Sequence, residues 1–351
     1  MILLTPAEAT KFGLPNLCKI LMAIRPPANR SLLMHNTYLP HRVMKKERTP
    51  TRPSQWNSVL EELQSEFIVT CIVLTKDNPF QLIETVRSVL HQRPGCATPE
   101  DWLRVIRFCE VLIIDGSKKP ISDSWIIDKG GPLDCDSLHY HTLRVIRENP
   151  PLGIYSAMNL GLVHARGHAL IYMNSGDQFY DVYSLDKLIY ARLNQKYTTG
   201  AWPRVVFGQA LIIPDRKYLP SWLVPDSRVV NMSRWLRRFT PNHQTMLVDS
   251  EWARHNPFVL DSPQSADLTW IRSALNHGGS YVYLREPVAR FFLGGISSKL
   301  PSIQVLLIRL NEPSRTKLEK LAEICKFLLV PFEPFYPLLM IVKSSIIGLF
   351  F

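Results

Sequence analysis

Three aspartates and a histidine occupy positions where such side chains can do chemistry. Asp177 closes an apolar run in the segment Asn174-Ser175-Gly176-Asp177. A carboxylate at a strand end, in a Gly-containing turn, projects into a cleft as an oxygen ligand for Mg²⁺ or Mn²⁺. Such an ion bridges the two phosphates of a nucleotide and neutralises charge on the leaving group; the other reading of Asp177 is a turn residue bonding its own backbone. Asp115, in Asp115-Gly116-Ser117, either accepts hydrogen bonds from a base or ribose, with Gly116 admitting close approach of the ligand, or caps a turn. Asp267 precedes Leu268 near the start of a helical stretch at residues 265–277. It is read either as a first-turn acid favoured by the helix dipole or as a general base that faces a cleft and takes a proton from an attacking hydroxyl. His243, followed by Gln244, lines a site or is a satisfied structural residue. No GxSxG, P-loop or GxGxxG occurs, so hydrolase, NTPase and dehydrogenase readings gain no support.

These residues need a scaffold, and the pattern from Glu66 onward supplies one. Short apolar runs alternate with helical stretches, the mark of βαβ units and a largely parallel sheet. Strands are expected at residues 67–74, 111–114, 143–147 and 169–173, then around 204–213 and from Tyr281. The helix after Asp77-Asn78-Pro79 carries Leu82, Val86, Val89 and Leu90 on one face, with Asn78 as N-cap and Pro79 at the first helical position. A second amphipathic helix presents Ile154, Met158, Leu162 and Ala165 and is closed by Gly167. Asp115 and Asp177 then fall at the carboxyl ends of strands, where open α/β sheets hold their ligands.

Composition and charge narrow the function classes. The 351 residues are 46% hydrophobic and 20% charged, which excludes wholesale disorder, collagen and a small disulfide scaffold. The net charge of +11 is concentrated at the ends: residues 1–65 hold 9 Lys/Arg against 4 Asp/Glu, residues 298–351 hold 7 against 4, and the stretch between is close to balanced. Basic ends around a near-neutral core suit anionic lipid better than nucleic acid. The six cysteines form no CxxC pair, which points to a reducing compartment without structural zinc. The first 65 residues read as an irregular extension, and their short apolar stretch at 20–24 is too brief for a secretory signal. The apolar tail, residues 327–351, is interrupted by Glu333, Lys343 and three prolines. It fits an interfacial segment, or a helix over the core, better than a bilayer span.

Taken together, the segments resemble the family 2 glycosyltransferases of the GT-A fold over residues 67–297. The resemblance is carried by Ser88-Val89-Leu90-His91-Gln92, Ile113-Ile114-Asp115-Gly116-Ser117, Gly153-Ile154-Tyr155-Ser156-Ala157-Met158-Asn159 with Gly161 and Ala165-Arg166-Gly167, and Met173-Asn174-Ser175-Gly176-Asp177. His243-Gln244, Phe258-Val259-Leu260-Asp261, Ala266-Asp267 and Gly294-Gly295-Ile296-Ser297 extend it. The sequence departs from the family pattern at Asn174, Gly176 and Ala266, where further acidic residues are common, and at Lys118-Lys119-Pro120. The resemblance implies a Rossmann-like, mostly parallel central sheet flanked by helices at 66–297, between an N-terminal extension (1–65) and an apolar helical tail (298–351). It also implies an inverting enzyme of the bacterial polysaccharide-biosynthesis type. Such an enzyme moves a sugar from a nucleoside diphosphate donor to a hydroxyl of a saccharide or lipid-linked acceptor. Thr75, Asp77 and Asp115 would contact the nucleotide, Asp177 would hold Mg²⁺ or Mn²⁺, and Asp267 would be the base. Outside the resemblance, Arg234, Arg237 and Arg238, interleaved with Trp235 and Phe239, are read as clamping a diphosphate, docking on anionic headgroups or forming a solvated helix face. His243 and Gln244 are placed in the same acceptor or diphosphate region. With the tail, these features favour a peripheral protein at the cytoplasmic face of the plasma membrane. The rival reading is a catalytically silent nucleotide-sugar-binding or membrane-docking scaffold.

Overall fold

The computed structural model describes residues 63, 65–95, 107–121, 141–214, 221–224, 241–260, 266–275 and 280–293, with a few single positions between 306 and 324. Contacts divide the chain into Met1–Thr51 and Arg52–Phe351, and all described residues lie in the second unit. Residues 1–62 of the N-terminal extension, the Arg234 to Phe239 segment, Asp261, the Gly294 to Ser297 motif and residues 325–351 of the apolar tail lie outside the described residues.

Nine strands form one mixed sheet in the order β3-β2-β1-β4-β8-β6-β9-β5, with β7 paired to β6. They are β1 (Phe67–Thr75), β2 (Arg107–Asp115), β3 (His141–Arg147), β4 (Gly167–Asn174), β5 (Gln178–Phe179), β6 (Val205–Ile213), β7 (Trp222–Val224), β8 (Met246–Asp249) and β9 (Tyr281–Phe292). The expected α/β architecture is present. The first half, β3-β2-β1-β4, is parallel throughout; beyond β4 the short β8 runs antiparallel to both neighbours, and β6 and β9 are again parallel.

Helices cover both faces. They are α1 (Pro79–Leu90), α2 (Ile154–His164), α3 (Ser184–Thr199), α4 (Ser250–His255) and α5 (Ala266–Leu275). Alternation along β1 divides the core: Val69, Cys71 and Val73 pack with Leu82, Val86 and Val89 of α1 and Leu185 and Leu188 of α3. Ile72 and Leu74 turn the other way, onto Met158 and Leu162 of α2 and Trp270 and Ile271 of α5. All nine residues of β1 are buried, as expected for a parallel strand covered on two sides. Helix α1 forms as its sequence dictates: Asn78 caps it by accepting from the Gln81 N–H at 3.3 Å, and Pro79 stands in the first turn.

Three expectations need correction. Helix α2 ends at His164 with Ala165 as its C-cap, not at Gly167, which instead begins β4; a Cβ at Gly167 would lie 2.4 Å from the Thr70 backbone nitrogen, so glycine is required by strand packing. Ile154 is 49% exposed and does not join the apolar face. Strand β2 starts at Arg107, four residues earlier than its apolar run, because the buried Glu110 is satisfied by hydrogen bonds from Thr70, Arg144 and the Arg166 N–H. Among the described residues no helix is long and apolar enough to cross a membrane.

Candidate active site at the carboxyl ends of the strands

The chain leaves β1 toward β2 and β3, then returns to place β4 on the other side of β1. Such a reversal is where open α/β sheets place their ligand crevice, beyond the carboxyl ends of β1 and β4. Leu74 of β1 is in register with Asn174 of β4, and Thr75 with Asp115 of β2. Thr75, Asp115 and the Asn174 to Asp177 turn therefore share one edge.

The turn is tightly specified. Asp177 N–H donates to Asn174 O at 2.9 Å, and Gly176 has φ +103°, a conformation that disfavours any side chain. This accounts for the glycine at position 176. Thr85 of α1 braces the turn: its hydroxyl accepts from Gly176 N–H at 2.9 Å and donates to Asn174 O at 3.3 Å. Asp177 Oδ2 accepts from the Asn174 N–H at 3.1 Å and from Gln244 Nε2 at 2.9 Å. Burial pushes this carboxyl up to about 7, against the lowering effect of those hydrogen bonds.

Gln244 and His243 arrive on a single 3-10 turn, His243–Thr245, that runs into β8. The His243 ring lies against the Asn174 side chain, Nε2 to Nδ2, at 3.2 Å. Burial lowers its basicity, while the negative charge of Asp267 acts in the opposite direction. Asp267 stands in the first turn of α5, half-buried, with Oδ1 accepting from Leu268 N–H at 2.8 Å. The structure thus brings Asp177, His243 and Gln244 together with Asn174 at the end of β4; the charge of Asp267 acts on His243.

The nucleotide-side residues behave differently. Asp115, only 2% exposed, spends Oδ1 on Ser117 N–H and Oδ2 on Ile121 N–H, each at 3.0 Å, with Arg147 at 3.8 Å. It fastens the loop after β2, which is the turn-capping reading. Asp77, at φ 55°, stitches that loop to β1: its N–H donates to Ser117 Oγ at 2.8 Å, and its Oδ1 accepts from Lys118 N–H at 2.9 Å. Thr75 Oγ1 is buried and has no hydrogen-bond partner among the described residues. Arg237 and Arg238 lie outside the described residues. Sequence reasoning missed Asn174, whose buried Oδ1 also lacks a partner, and Thr85. A polar residue at the end of β4 was signal enough for Asn174, whereas nothing local marks Thr85.

Among the described residues no group of three His, Cys, Asp or Glu side chains is set to enclose a metal. Among the described residues Asp177 has no Lys or Arg partner, and a buried carboxylate so placed suits a cation. Mg²⁺ is commonly held by one or two carboxylates plus substrate phosphates, so Asp177 fits an ion that arrives with a diphosphate.

No protein-family model matches the chain, and no curated protein matches it. Among solved structures it is similar to S. aureus TarS, at TM-score 0.46 and 14% identity over 75% of this chain. It spans only 43% of that TarS chain. It is also similar to S. aureus TarS 1–349 in complex with UDP (TM-score 0.47, 14% identity, 76% of this chain and 71% of that one). A third similarity is to the same fragment with UDP-GlcNAc (TM-score 0.45, 13% identity, 75% and 72%). The functional reading rests on the side chains at the strand ends.

Proposed function

We propose that the chain is a nucleotide-sugar-dependent glycosyltransferase of the family 2, GT-A kind. It would transfer a sugar, with inversion, from a nucleoside diphosphate to a hydroxyl of a saccharide or lipid-linked acceptor. The observation that favours this reading is the buried carboxylate of Asp177 at the end of β4, held by Gln244 and the Asn174 N–H and without a Lys or Arg partner among the described residues. Asp177 would hold Mg²⁺ or Mn²⁺ against the diphosphate, where the ion supplies charge neutralisation for the leaving group. Asp267 would take the proton of the acceptor hydroxyl as that oxygen attacks the anomeric carbon from the face opposite the diphosphate. Thr75 and the loop stitched by Asp77 and Asp115 would border the nucleotide, and Asp115 would act by shaping that loop.

The test is release of nucleoside diphosphate from UDP- and GDP-sugars, with and without Mn²⁺, by the wild type and Asp267→Ala. Turnover that disappears in the variant while nucleotide binding persists is the expected result. A single carboxylate at the metal position, with no three-donor cluster among the described residues, favours a second reading, a silent nucleotide-sugar-binding scaffold. Turnover dependent on Asp267 would eliminate it.

A further inference from the structure

Four large aliphatic residues, Leu152, Ile154, Val259 and Leu260, are between 49% and 74% exposed. The first two lead into α2 from the carboxyl end of β3, and the other two follow α4. Their neighbours bring them to the N-terminal half of α2. Tyr155 stacks on Phe258 at 5.7 Å, and Asn159 and Phe258 exchange two hydrogen bonds, Nδ2 to O at 2.9 Å and N–H to Oδ1 at 2.8 Å. Phe258 is buried, with Trp270 of α5 at 4.7 Å and Tyr172 at 5.5 Å. The loop that carries Val259 and Leu260 is therefore pinned at its base, and their exposure is built into the fold. On the other side of Leu152, Pro151 Cβ lies 3.4 Å from where a side chain on Gly116 would begin, and Lys118 and Lys119 of that loop are exposed. Among the described exposed charges on the loops after β1, β2 and β3, Lys76, Lys118 and Lys119 are basic and Asp77 alone is acidic.

We propose that this apolar patch and its bordering lysines are the surface by which the folded domain rests on an anionic lipid membrane, with Leu152, Ile154, Val259 and Leu260 entering the headgroup layer and Lys118 and Lys119 meeting anionic headgroups. The inference rests on the glycosyltransferase reading above, for which it names the membrane as the place where a lipid-linked acceptor is met. Clustered exposed apolar side chains mark an interaction surface, and lysines at the border select anionic lipid over a neutral partner. The loops concerned follow the carboxyl ends of β2 and β3, on the edge of the sheet that holds the Asn174 to Asp177 turn. Helix α5, which carries Asp267, packs its Trp270 on the same Phe258. A domain seated this way turns the edge that holds its candidate site toward the bilayer.

The experiment is sedimentation of the full chain with vesicles of phosphatidylcholine alone or mixed with phosphatidylglycerol. Wild type is expected to bind the mixed vesicles and not the neutral ones. Leu152→Ser/Ile154→Ser and Val259→Ser/Leu260→Ser should each weaken that binding about 10-fold or more. Lys118→Gln/Lys119→Gln should also weaken it about 10-fold or more and reduce its dependence on salt. Val163→Ser is the control: Val163 is as exposed as Leu152 but stands at the other end of α2, and this variant should bind as wild type does. Calorimetric binding of UDP and GDP is measured in parallel on wild type and the two apolar double variants. Wild type that ignores the mixed vesicles, patch variants that sediment as wild type does, or an equal loss in Val163→Ser would overturn the docking surface, while nucleotide binding decides the enzyme reading separately. Loss of vesicle binding in the patch variants, with no nucleotide bound by any of these proteins, would keep the docking surface and sink the enzyme reading. A concentration-dependent dimer that the patch variants dissolve, with vesicle binding unchanged, would make the patch an interface between copies of the chain and overturn the proposal.

Discussion

The two ends of β4 treat buried charge in opposite ways. At its start, Arg192 of α3 donates to Asp249 at 2.6 Å and to Pro203 O at 2.6 Å, meets His168 Nδ1 at 3.2 Å, and lies over the Trp202 ring. Nearby, the fully buried Glu110 is paired with Arg144 and accepts from Thr70 and the Arg166 N–H. Each of these carboxylates faces a cation. At the far end of the same strand, among the described residues, Asp177 is met only by amides, and Asn174 Oδ1 and Thr75 Oγ1 have no hydrogen-bond partner. Ion-paired buried networks hold a fold together, although even here Arg192 Nε has no hydrogen-bond partner among the described residues. Acceptors left without a cation mark the place where a ligand completes the structure.

This contrast can be tested, beginning with the largest expected effect. Asp267→Asn should reduce turnover by roughly 10²–10⁴-fold while leaving urea stability close to wild type. Asp249→Ala should do the reverse. It strands the buried Arg192 guanidinium and removes the N-cap contact to Trp252 N–H at 2.9 Å, for a loss of about 3–5 kcal/mol in denaturant unfolding. Asp177→Asn, in metal-free protein, should cost no stability and should gain about 1–2 kcal/mol, because it removes a buried charge that has no cation partner among the described residues. A destabilisation as large as that of Asp249→Ala would erase the distinction between the two ends.

The smallest effect concerns pH. Burial, followed by the adjacent Arg192, lowers His168 to about 4, below its ordinary value of 6.5. Between those values the unfolded chain binds the proton that the folded chain refuses, so stability should fall as pH drops from 6.5 toward 4. His168→Gln should flatten that part of the unfolding profile, measured by urea midpoints across the window. An unchanged slope would remove His168 from the network.

The sequence made the first half of the fold legible because β1, β4 and α1 carry unbroken periods: every residue of β1 is apolar or a small hydroxyl, and α1 has its cap, its proline and its face. Helix α3 was not readable, since Asp186 and Arg192 lie on its buried side and disrupt any simple apolar stripe. Strand β8 has four residues, too few for a period to register. The candidate site was legible as residue types at strand ends, but its connections were not. Gln244 reaches Asp177 across 67 positions, and only the folded sheet shows that Asp115 turns its carboxylate onto its own loop.

The most direct test of the central claim is calorimetric binding of UDP and GDP to the wild type and to Asp177→Ala, each with and without Mn²⁺. A folded wild type that binds one of these nucleotides, more tightly with Mn²⁺, and a folded variant that loses the metal-dependent part is the expected result. Metal-dependent binding that survives in Asp177→Ala, or no binding of either nucleotide by the folded wild type, would contradict the assignment of this strand-end crevice as the donor site.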